Sequence, residues 1–242
     1  MRINSPFINV YKKATTKSEV VTQLLYGETF KIIEKKNKWL KIKNNFDGYL
    51  GFIKKKKFYI NVKNTHKVIS LSAQLYSKPG KKVSDKLSFG SKIKIIKKEK
   101  NFYKFDKLWL KKENLKELKY KKKDIFSDFR KFINIKYVWG GKSFKGIDCS
   151  GLIQLFFSCN NRFCPRDAKD QIKYFKKKIN LKNIKKNDLI FWNGHVAIAI
   201  SQKKLVHAYG PLKKVLIMPI NKTIDRIYKT ANLKVIGIRR IK

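Results

Sequence analysis

Two segments in the first half of the chain resemble each other, and this repetition restricts the folds available to that half. One segment covers residues 23–35 (QLLYGETFKIIEK) and the other covers residues 85–97 (DKLSFGSKIKIIK). Both run from a leucine and an aromatic residue to a glycine, Gly27 or Gly90, and then into an alternating strand that ends in Ile-Ile-Xaa-Lys or Ile-Ile-Lys. Short alternating strands separated by polar turns predict two small β-barrels. Barrels of this size bury little surface alone, so we expect them to pack on each other or on the segment that follows.

The sequence pattern changes after a charged stretch at residues 111–123, which shows no strand pattern and is interpreted as a linker. Residues 124–133 have the spacing of an amphipathic helix. Further helices are predicted at residues 149–157 and 168–175, and strands at residues 189–192, 195–200, 205–209, 215–219 and 235–239. Helices that precede an antiparallel sheet predict an α+β fold for this part of the chain.

The chain is strongly basic, with 60 lysine and arginine residues against 16 acidic residues and a net charge of +44. Such a balance raises nucleic-acid binding as a hypothesis, because lysine and arginine neutralise phosphates. The lysines are spread along the whole chain between apolar segments, which is typical of a solvated surface. Hydrophobic residues make up 43% of the chain, a share that excludes intrinsic disorder. We therefore expect no nucleic-acid partner, while attraction for an acidic ligand or polymer stays open.

The sequence indicates neither export nor a bound metal. No apolar stretch approaches the roughly 18 residues that a membrane helix needs, and residues 1–11 lack the features of a secretory signal. Three cysteines do not make a disulfide framework in a chain of this length, and there is no C-x-x-C pair for a zinc site. We expect a cytoplasmic protein with no membrane span, no metal and no cofactor. The oligomeric state stays open.

Cys149 lies where an apolar helical run begins, in the motif Asp148-Cys149-Ser150-Gly151-Leu152. Unpaired backbone N–H groups and the helix dipole favour a thiolate at that end of a helix. The thiolate is the form of cysteine that attacks a carbonyl. The other cysteines, at positions 159 and 164, have no such position and are interpreted as buried structural thiols.

His195 and His207 begin two consecutive predicted strands that are joined by a polar turn. In an antiparallel hairpin, residues of one parity share a face, so the two rings are expected to lie side by side. Ala197 and Ala199 share the face of His195, and their small size would leave room for a helix N-terminus to approach it. A cysteine beside a histidine pair predicts nucleophilic catalysis. His66 lies in a loop-like stretch, and no role is expected for it.

Several motifs in the second half of the chain occur in one order, over about residues 124–215. They are YVWGG (137–141), DCSGL (148–152), PRDAKDQ (165–171), NDLIF (187–191), GHVAI (194–198) and LVHA (205–208). Together they resemble the NlpC family of bacterial cell-wall cysteine peptidases. The N-terminal repeats resemble the bacterial SH3-like barrels that accompany members acting on free peptidoglycan peptides. The resemblance implies one barrel at residues 1–62, a shortened second barrel at 63–118, and a papain-like α+β core at 119–242.

The pattern is most similar to γ-D-glutamyl-L-diamino-acid peptidases, which act on peptidoglycan-derived peptides with a free N-terminal L-Ala in cell-wall peptide recycling or turnover. Carried over by motif, Cys149 is the nucleophile, His195 is the base, and His207 orients His195. Cys149 would attack the carbonyl between γ-D-Glu and the diamino acid, and water would hydrolyse the acyl-enzyme. Tyr137 is expected on the oxyanion side as a phenolic donor.

The resemblance also implies a set of residues that hold the free end of the peptide, because a buried ammonium must be paired. These residues are Asp148, Ser150, Asp167 and Ala168 in the core, and Tyr49 and Glu19 in the first barrel, with Glu28 as the alternative to Glu19. Ala168 stands where this group commonly has a serine, so one hydroxyl contact is missing.

Two other classes of function stay open at this point. The barrels could bind an anionic polymer, either cell wall or nucleic acid, beside a core that has lost its activity. The presence of Cys149, His195 and His207 argues against an inactive core. An acyltransferase or amidase on the same papain-like core shares all of the catalytic motifs.

Overall fold

Short antiparallel strands make up the first half of the chain, as the repeated segments predict. The computed structural model describes residues 1–241. Its first sheet has the strand order β2-β1-β5-β4-β3. The strands are β1 (Phe7–Tyr11), β2 (Val20–Leu25), β3 (Phe30–Lys36), β4 (Trp39–Asn44) and β5 (Leu50–Lys54). Leu24, Phe30 and Ile42 have no exposed surface and form the centre of this small core.

The second repeat folds into two further small sheets, with strand orders β10-β11-β12-β7-β8 and β13-β6-β9. The strands are β6 (His66–Val68), β7 (Ser72–Lys78), β8 (Lys81–Ser88), β9 (Lys92–Ile93), β10 (Lys97–Glu99), β11 (Phe102–Phe105), β12 (Leu108–Lys111) and β13 (Leu115–Glu117). Strand β13 lies inside the stretch interpreted as a linker, so that interpretation is wrong there. One buried side chain, Leu115, and backbone pairing with β6 suffice to order this charged segment.

The second half of the chain is α+β, which confirms the predicted fold class. Its elements are β14 (Lys142–Ser143), β15 (Gly146–Ile147), α1 (Cys149–Cys159), α2 (Ala168–Tyr174), β16 (Lys177–Ile179), β17 (Asp188–Trp192), β18 (His195–Ala199), β19 (Lys204–Tyr209), β20 (Lys214–Pro219), α3 (Ile220–Ala231) and β21 (Val235–Arg240). The main sheet has the order β16-β21-β17-β18-β19-β20. Within residues 1–241, no helix is long and apolar enough to span a membrane. The domain bounds at residues 62 and 118 stay predictions.

A helix covers each face of the main sheet. Helix α1 packs on the face that carries Val196 and Ile198, and both side chains are buried in its core cluster. Helix α3 covers the opposite face, where Ala197 and Ala199 pack in a cluster with Ile227. Ala197 and Ala199 therefore contact α3 and not the N-terminus of α1. The expectation that their small size makes room for a helix N-terminus beside His195 is wrong. It failed because the amphipathic pattern of α3 was not among the predicted elements.

The expected helix at residues 124–133 is also wrong, because only Phe129–Phe132 forms a single 3-10 turn. The Asp124 carboxylate accepts a hydrogen bond from the backbone N–H of Phe126, which stabilises a local turn instead of a helix. Phe126 and Phe132 are buried and make edge-to-face contacts with Phe156 of α1. The regular spacing of aromatic residues here reflects packing on α1.

Both repeated glycines allow a close approach between backbones or side chains. Gly27 has φ +78°, and a Cβ atom there would lie 1.8 Å from the carbonyl oxygen of Lys92. Gly90 has φ +84°, and a Cβ atom there would lie 2.7 Å from Leu155 Cδ1 of α1. Leu25 and Phe89, from the same two turns, are buried in the core cluster of α1. Each repeat thus inserts its turn into the neighbouring structure, as expected for barrels that depend on what they pack against.

A buried ion pair joins the first barrel to the second half of the chain. Lys142 Nζ lies 2.9 and 3.0 Å from the two carboxylate oxygens of Glu28. The two side chains are 2% and 4% exposed. Glu28 also accepts the backbone N–H of Leu25, and Gln23 Oε1 accepts the backbone N–H of Lys142. Removing one member of such a pair leaves an unpaired charge in the protein interior.

We expect Lys142→Met to lower the free energy of unfolding by about 3 kcal/mol, because it leaves the Glu28 carboxylate buried without its partner. Thermal denaturation followed by circular dichroism would measure the shift. Lys145→Met, which removes an exposed lysine from the turn between β14 and β15, is the control and should change the midpoint little. Equal shifts for the two variants would contradict a stabilising role for the buried pair.

Candidate active site

Cys149 is the first residue of α1, and Asp148 caps the helix. The Asp148 Oδ1 atom accepts the backbone N–H of Gly151 at 2.7 Å, which is the geometry of a helix N-cap. The Cys149 sulfur lies 4.0 Å from the Gly194 carbonyl oxygen. The backbone N–H groups of Val196 and Ser150 also interact with the sulfur. The predicted helix start is therefore present, and it faces the turn that leads into β18.

The two histidines of neighbouring strands contact each other. His195 Nε2 lies 2.9 Å from His207 Nδ1. His195 starts β18, whereas His207 lies inside β19 and not at its start. The His207 ring stacks on Tyr209 with a centroid distance of 4.7 Å and an interplanar angle of 9°. The tight histidine pair was the expectation from strand parity, and the stacking on Tyr209 fixes the plane of the second ring.

The structure brings Cys149 to the backbone on both sides of His195. Its sulfur interacts with Gly194 and Val196, the two chain neighbours of that histidine. Within residues 1–241, no hydrogen bond joins the sulfur to the His195 ring. Gly194 has φ +73°, a left-handed conformation that glycine adopts without strain. The short turn before β18 can thus hold a carbonyl and an N–H against the sulfur.

Burial controls the ionisation of these groups. It raises the pKa of the Cys149 thiol to about 12, with the Asp148 carboxylate adding to the effect and the N–H groups of Val196 and Ser150 opposing it. Burial lowers the pKa of His195 to about 4. Burial and the neighbouring His195 lower the pKa of His207 well below its usual value. The thiol and both imidazoles are therefore neutral near pH 7, so burial outweighs the helix end that favours a thiolate.

A cleft of about 470 Å³ opens beside Cys149. Both the first barrel and the second half of the chain contribute to its walls. The residues proposed from the sequence that line it are Glu19, Tyr49, Tyr137, Asp148, Cys149, Ser150, Asp167 and Ala168. Lys12, Trp139, Arg166 and Lys169 also line it, and sequence reasoning assigned no site role to them. His195 and His207 are not among the residues that line it.

The cleft is lined by acidic groups from both parts of the chain. Tyr49 Oη donates a hydrogen bond to Asp167 Oδ2 at 3.1 Å. Burial raises the pKa of Asp167, although the nearby Arg166 and the Tyr49 hydrogen bond oppose that change. Glu19 accepts a hydrogen bond from Trp139 Nε1 at 2.7 Å. Lys12 Nζ also lies 3.4 Å from the Glu19 carboxylate, so of the two carboxylates only Asp167 has no basic side chain within ion-pair distance among residues 1–241.

Asp148 has its hydrogen-bonding capacity occupied by protein groups. Arg166 binds both of its carboxylate oxygens, with distances of 3.0 and 2.6 Å, and the Gly140 N–H donates to Oδ2 at 2.8 Å. Arg166 also donates to Ser150 Oγ, and to Thr22 Oγ1 of the first barrel at 2.8 Å. These contacts position α1. The expected substrate contacts of Asp148 and Ser150 stay predictions. Arg166 directly precedes Asp167 in the sequence. Its position next to a predicted substrate-binding acid could have identified it as a residue of the site.

Glu28, the alternative to Glu19, does not line the cleft. Its carboxylate is 4% exposed and is paired with Lys142 in the contact between the barrel and the second half of the chain. The alternative is therefore wrong, because a carboxylate enclosed by a lysine and a backbone N–H cannot reach a substrate ammonium. Within the described residues, no group of three or more histidine, cysteine or acidic side chains is arranged to hold a metal ion.

Comparison with protein families matches two parts of the chain. The model of the NlpC/P60 family matches residues 134–232, and the model of the bacterial SH3 domain matches residues 6–57. Residues 134–232 form an NlpC/P60 domain. All of the catalytic candidates lie in this domain, whereas Tyr49 and Glu19 lie in the SH3 domain that precedes it.

The chain is similar to known proteins over most of its length. The chain is 27% identical over 235 residues to a γ-D-glutamyl-L-lysine dipeptidyl-peptidase of Bacillus subtilis, a match covering 86% of this chain and 79% of the relative. It is 24% identical to a protein of the same name from Bacillus cereus, over 86% and 72% of the two chains. A crystal structure of an NlpC/P60 family protein from Bacillus cereus has a TM-score of 0.83 at 20% identity, covering 99% and 98% of the chains, and shows the same fold. The protein is a cysteine-type peptidase.

We expect alkylation of Cys149 by iodoacetamide to accelerate about tenfold per pH unit between about pH 7 and 9.5, because a raised pKa keeps the resting thiol protonated. Mass spectrometry of the labelled peptide would give the rate constants separately from those of Cys159, whose pKa burial also raises, to about 11. His195→Ala should show the same slope. A rate that is already constant below pH 7 would indicate a thiolate–imidazolium pair and contradict the neutral resting site.

Proposed function

We propose that the protein hydrolyses the bond between γ-D-Glu and an L-diamino acid in peptidoglycan-derived peptides that carry a free N-terminal L-Ala. The observation that carries the proposal is the cleft, which places the Cys149 sulfur and the Asp167 and Glu19 carboxylates in one cavity. An ammonium removed from water needs charged or hydrogen-bonding partners. The names of the two Bacillus relatives support the same bond and the release of a dipeptide. In this proposal the enzyme acts on these peptides in the cytoplasm, where a reducing environment keeps the Cys149 thiol free.

In the proposed mechanism, Cys149 is the nucleophile and His195 is the general base. His195 accepts the thiol proton on Nδ1 while the sulfur forms a bond to the carbonyl carbon. Nε2 of His195 then carries its hydrogen and donates to Nδ1 of His207, consistent with the 2.9 Å distance. The new imidazolium returns the proton to the leaving amine. Water then attacks the thioester, and the carboxylic acid product leaves with Cys149 restored as a thiol.

The neutral resting site fits general-base attack in the presence of substrate. Both the thiolate and the imidazolium lose solvation in this buried site, so neither forms to a large extent before the carbonyl arrives. His207 is neutral and stacked on Tyr209, so it orients the ring of His195 more than it stabilises positive charge. We propose His207 as a positioning residue for this reason.

Tyr137 is proposed to donate a hydrogen bond to the oxyanion. It lines the cleft, and burial followed by the nearby Cys149 and Asp148 raises the pKa of its phenol above the usual value. The hydroxyl therefore keeps its proton throughout the neutral range. A protonated phenol can donate to the oxygen that becomes negative in the tetrahedral intermediate.

The substrate ammonium is proposed to bind between Asp167, Tyr49 and Glu19. Tyr49 donates its hydrogen to Asp167, and so its phenolic oxygen can accept a hydrogen bond from the ammonium. Ala168 adjoins this end of the cleft and offers no hydroxyl. Charged contacts therefore account for most of the recognition of the free end in this protein.

Replacing Cys149 with alanine should abolish hydrolysis of L-Ala-γ-D-Glu-L-Lys, because no other group can form the acyl intermediate. Liquid chromatography of the products would measure the rate. Cys159→Ala and Cys164→Ala are the matched controls, since both residues are buried away from the cleft. These two variants should keep most of the activity. The assignment of the nucleophile would have to be abandoned if all three variants lost activity equally while remaining folded.

Acetylation of the peptide N-terminus should lower kcat/KM about 100-fold, since a charged hydrogen bond contributes roughly 1.5–3 kcal/mol and more than one is lost. Asp167→Asn should lower kcat/KM for the free peptide by a smaller factor and have little effect on the acetylated peptide. Asp85→Asn, which alters an exposed acid of the second repeat, is the control. An acetylated peptide cleaved as fast as the free peptide would remove the basis for end-group recognition.

A further inference from the structure

A lysine without an acidic partner stands at the ammonium end of the cleft. Lys169 is the second residue of α2, is exposed, and lines the cleft beside Asp167 and Ala168. It is close enough to Asp167 to lower the pKa of that carboxyl, against the larger opposite effect of burial. Within residues 1–241, no carboxylate lies within ion-pair distance of its ammonium group.

The other two basic residues of the cleft have acidic partners. Lys12 Nζ lies 3.4 Å from the carboxylate of Glu19. Arg166 is almost completely buried and binds both oxygens of Asp148. Lys169 is therefore the basic group of the described cleft that remains available to an anionic ligand.

The position of Lys169 opposes the binding of a simple amine. A positive charge near Asp167 repels an incoming ammonium and weakens the attraction that the carboxylate provides. A ligand that carries a negative charge next to its ammonium group would offset this repulsion, because the negative charge can bind Lys169. The charge pattern of the cleft therefore fits a zwitterionic ligand better than a cationic one.

The proposed substrate has a negative charge in that place. A peptide bond made through the γ-carboxyl of glutamate leaves the α-carboxylate of that residue free, one residue from the N-terminal ammonium. This α-carboxylate lies between the two points that the proposed function already fixes, the ammonium at Asp167 and the scissile carbonyl at Cys149. A carboxylate that points from this position towards α2 meets the ammonium group of Lys169, which lines the cleft beside Asp167.

We propose that Lys169 binds the free α-carboxylate of the γ-linked glutamyl residue. The inference rests on the proposed function and adds a selectivity to it. The enzyme distinguishes peptides with γ-D-glutamate from peptides in which the same residue is γ-D-isoglutamine, whose α-carboxyl is an amide. Lys169 is a specificity-determining residue and takes no part in proton transfer.

The test compares two tripeptides, L-Ala-γ-D-Glu-L-Lys and L-Ala-γ-D-isoGln-L-Lys, on three enzymes. The wild-type enzyme should cleave the glutamyl peptide with a kcat/KM about tenfold higher, and mostly through a lower KM. Lys169→Gln should reduce this preference to nearly one, because the amide has no charge to recognise in either peptide. Lys173→Gln removes an exposed lysine one turn further along α2, outside the cleft, and should keep the wild-type preference. High salt should weaken the preference of the wild-type enzyme, because it screens a partly exposed ion pair.

The outcomes separate this inference from the proposed function. If the wild-type enzyme cleaves both peptides and Lys169→Gln keeps the full tenfold preference, Lys169 does not bind the carboxylate, and the proposed function stands. Equal cleavage of both peptides by the wild-type enzyme overturns the inference in the same way. If the wild-type enzyme cleaves neither peptide, the proposed function fails and the inference fails with it. Loss of preference in Lys173→Gln as well would show a general effect of surface charge and overturn the specific role of Lys169.

Discussion

The buried ion pair between Asp148 and Arg166 supports the rest of the active site. Asp148 caps α1 and also accepts the N–H of Gly140, while Arg166 extends to Thr22 of the first barrel. Two charges in the interior are stable only when their hydrogen bonds are satisfied, and here all the partners lie at one junction. The start of α1, and with it the position of Cys149, therefore depends on a contact that also anchors the barrel. Catalytic geometry and domain packing are coupled through the same two side chains.

That coupling explains why the reactive groups are so strongly desolvated. The turn before β18 and the start of α1 lie against the sulfur, the barrel supplies the opposite part of the cleft lining, and burial raises the pKa of Cys149 while it lowers the pKa of His195. A low dielectric environment disfavours charge in the resting protein, and it also strengthens any hydrogen bond to a charge that forms during reaction. The site is thus suited to charges that appear only with a bound carbonyl. A neutral His207 also keeps the resting site uncharged, whereas an aspartate at this position would carry a permanent buried charge.

The sequence predicted the parts of this arrangement that depend on local pattern. The start of α1 followed from the apolar run that begins just after Cys149, and the histidine pair followed from the alternation of β18 and β19. The local sequence pattern could not predict long-range contacts. Helix α3 was missed, and with it the partner of the Ala197 face. The pairing of Glu28 with Lys142 joins residues far apart in the chain, and the spacing near Phe126 resembled a helix although it serves packing on α1. In each case tertiary contacts decided what a local pattern could not.

In the proposed function, the cleft separates the chemistry from the selection of the substrate end. Cys149 and the histidines belong to the NlpC/P60 domain alone, whereas Tyr49 and Glu19 reach the cleft from the first barrel. A barrel that only tethered the enzyme would not need to place acidic and phenolic groups in the same cavity as the sulfur. The inserted turn at Leu25 fixes the first barrel against α1, because Leu25 is buried in the core cluster of that helix. Changes on the barrel side of the cleft should therefore alter which peptide end is accepted without altering how the bond is broken.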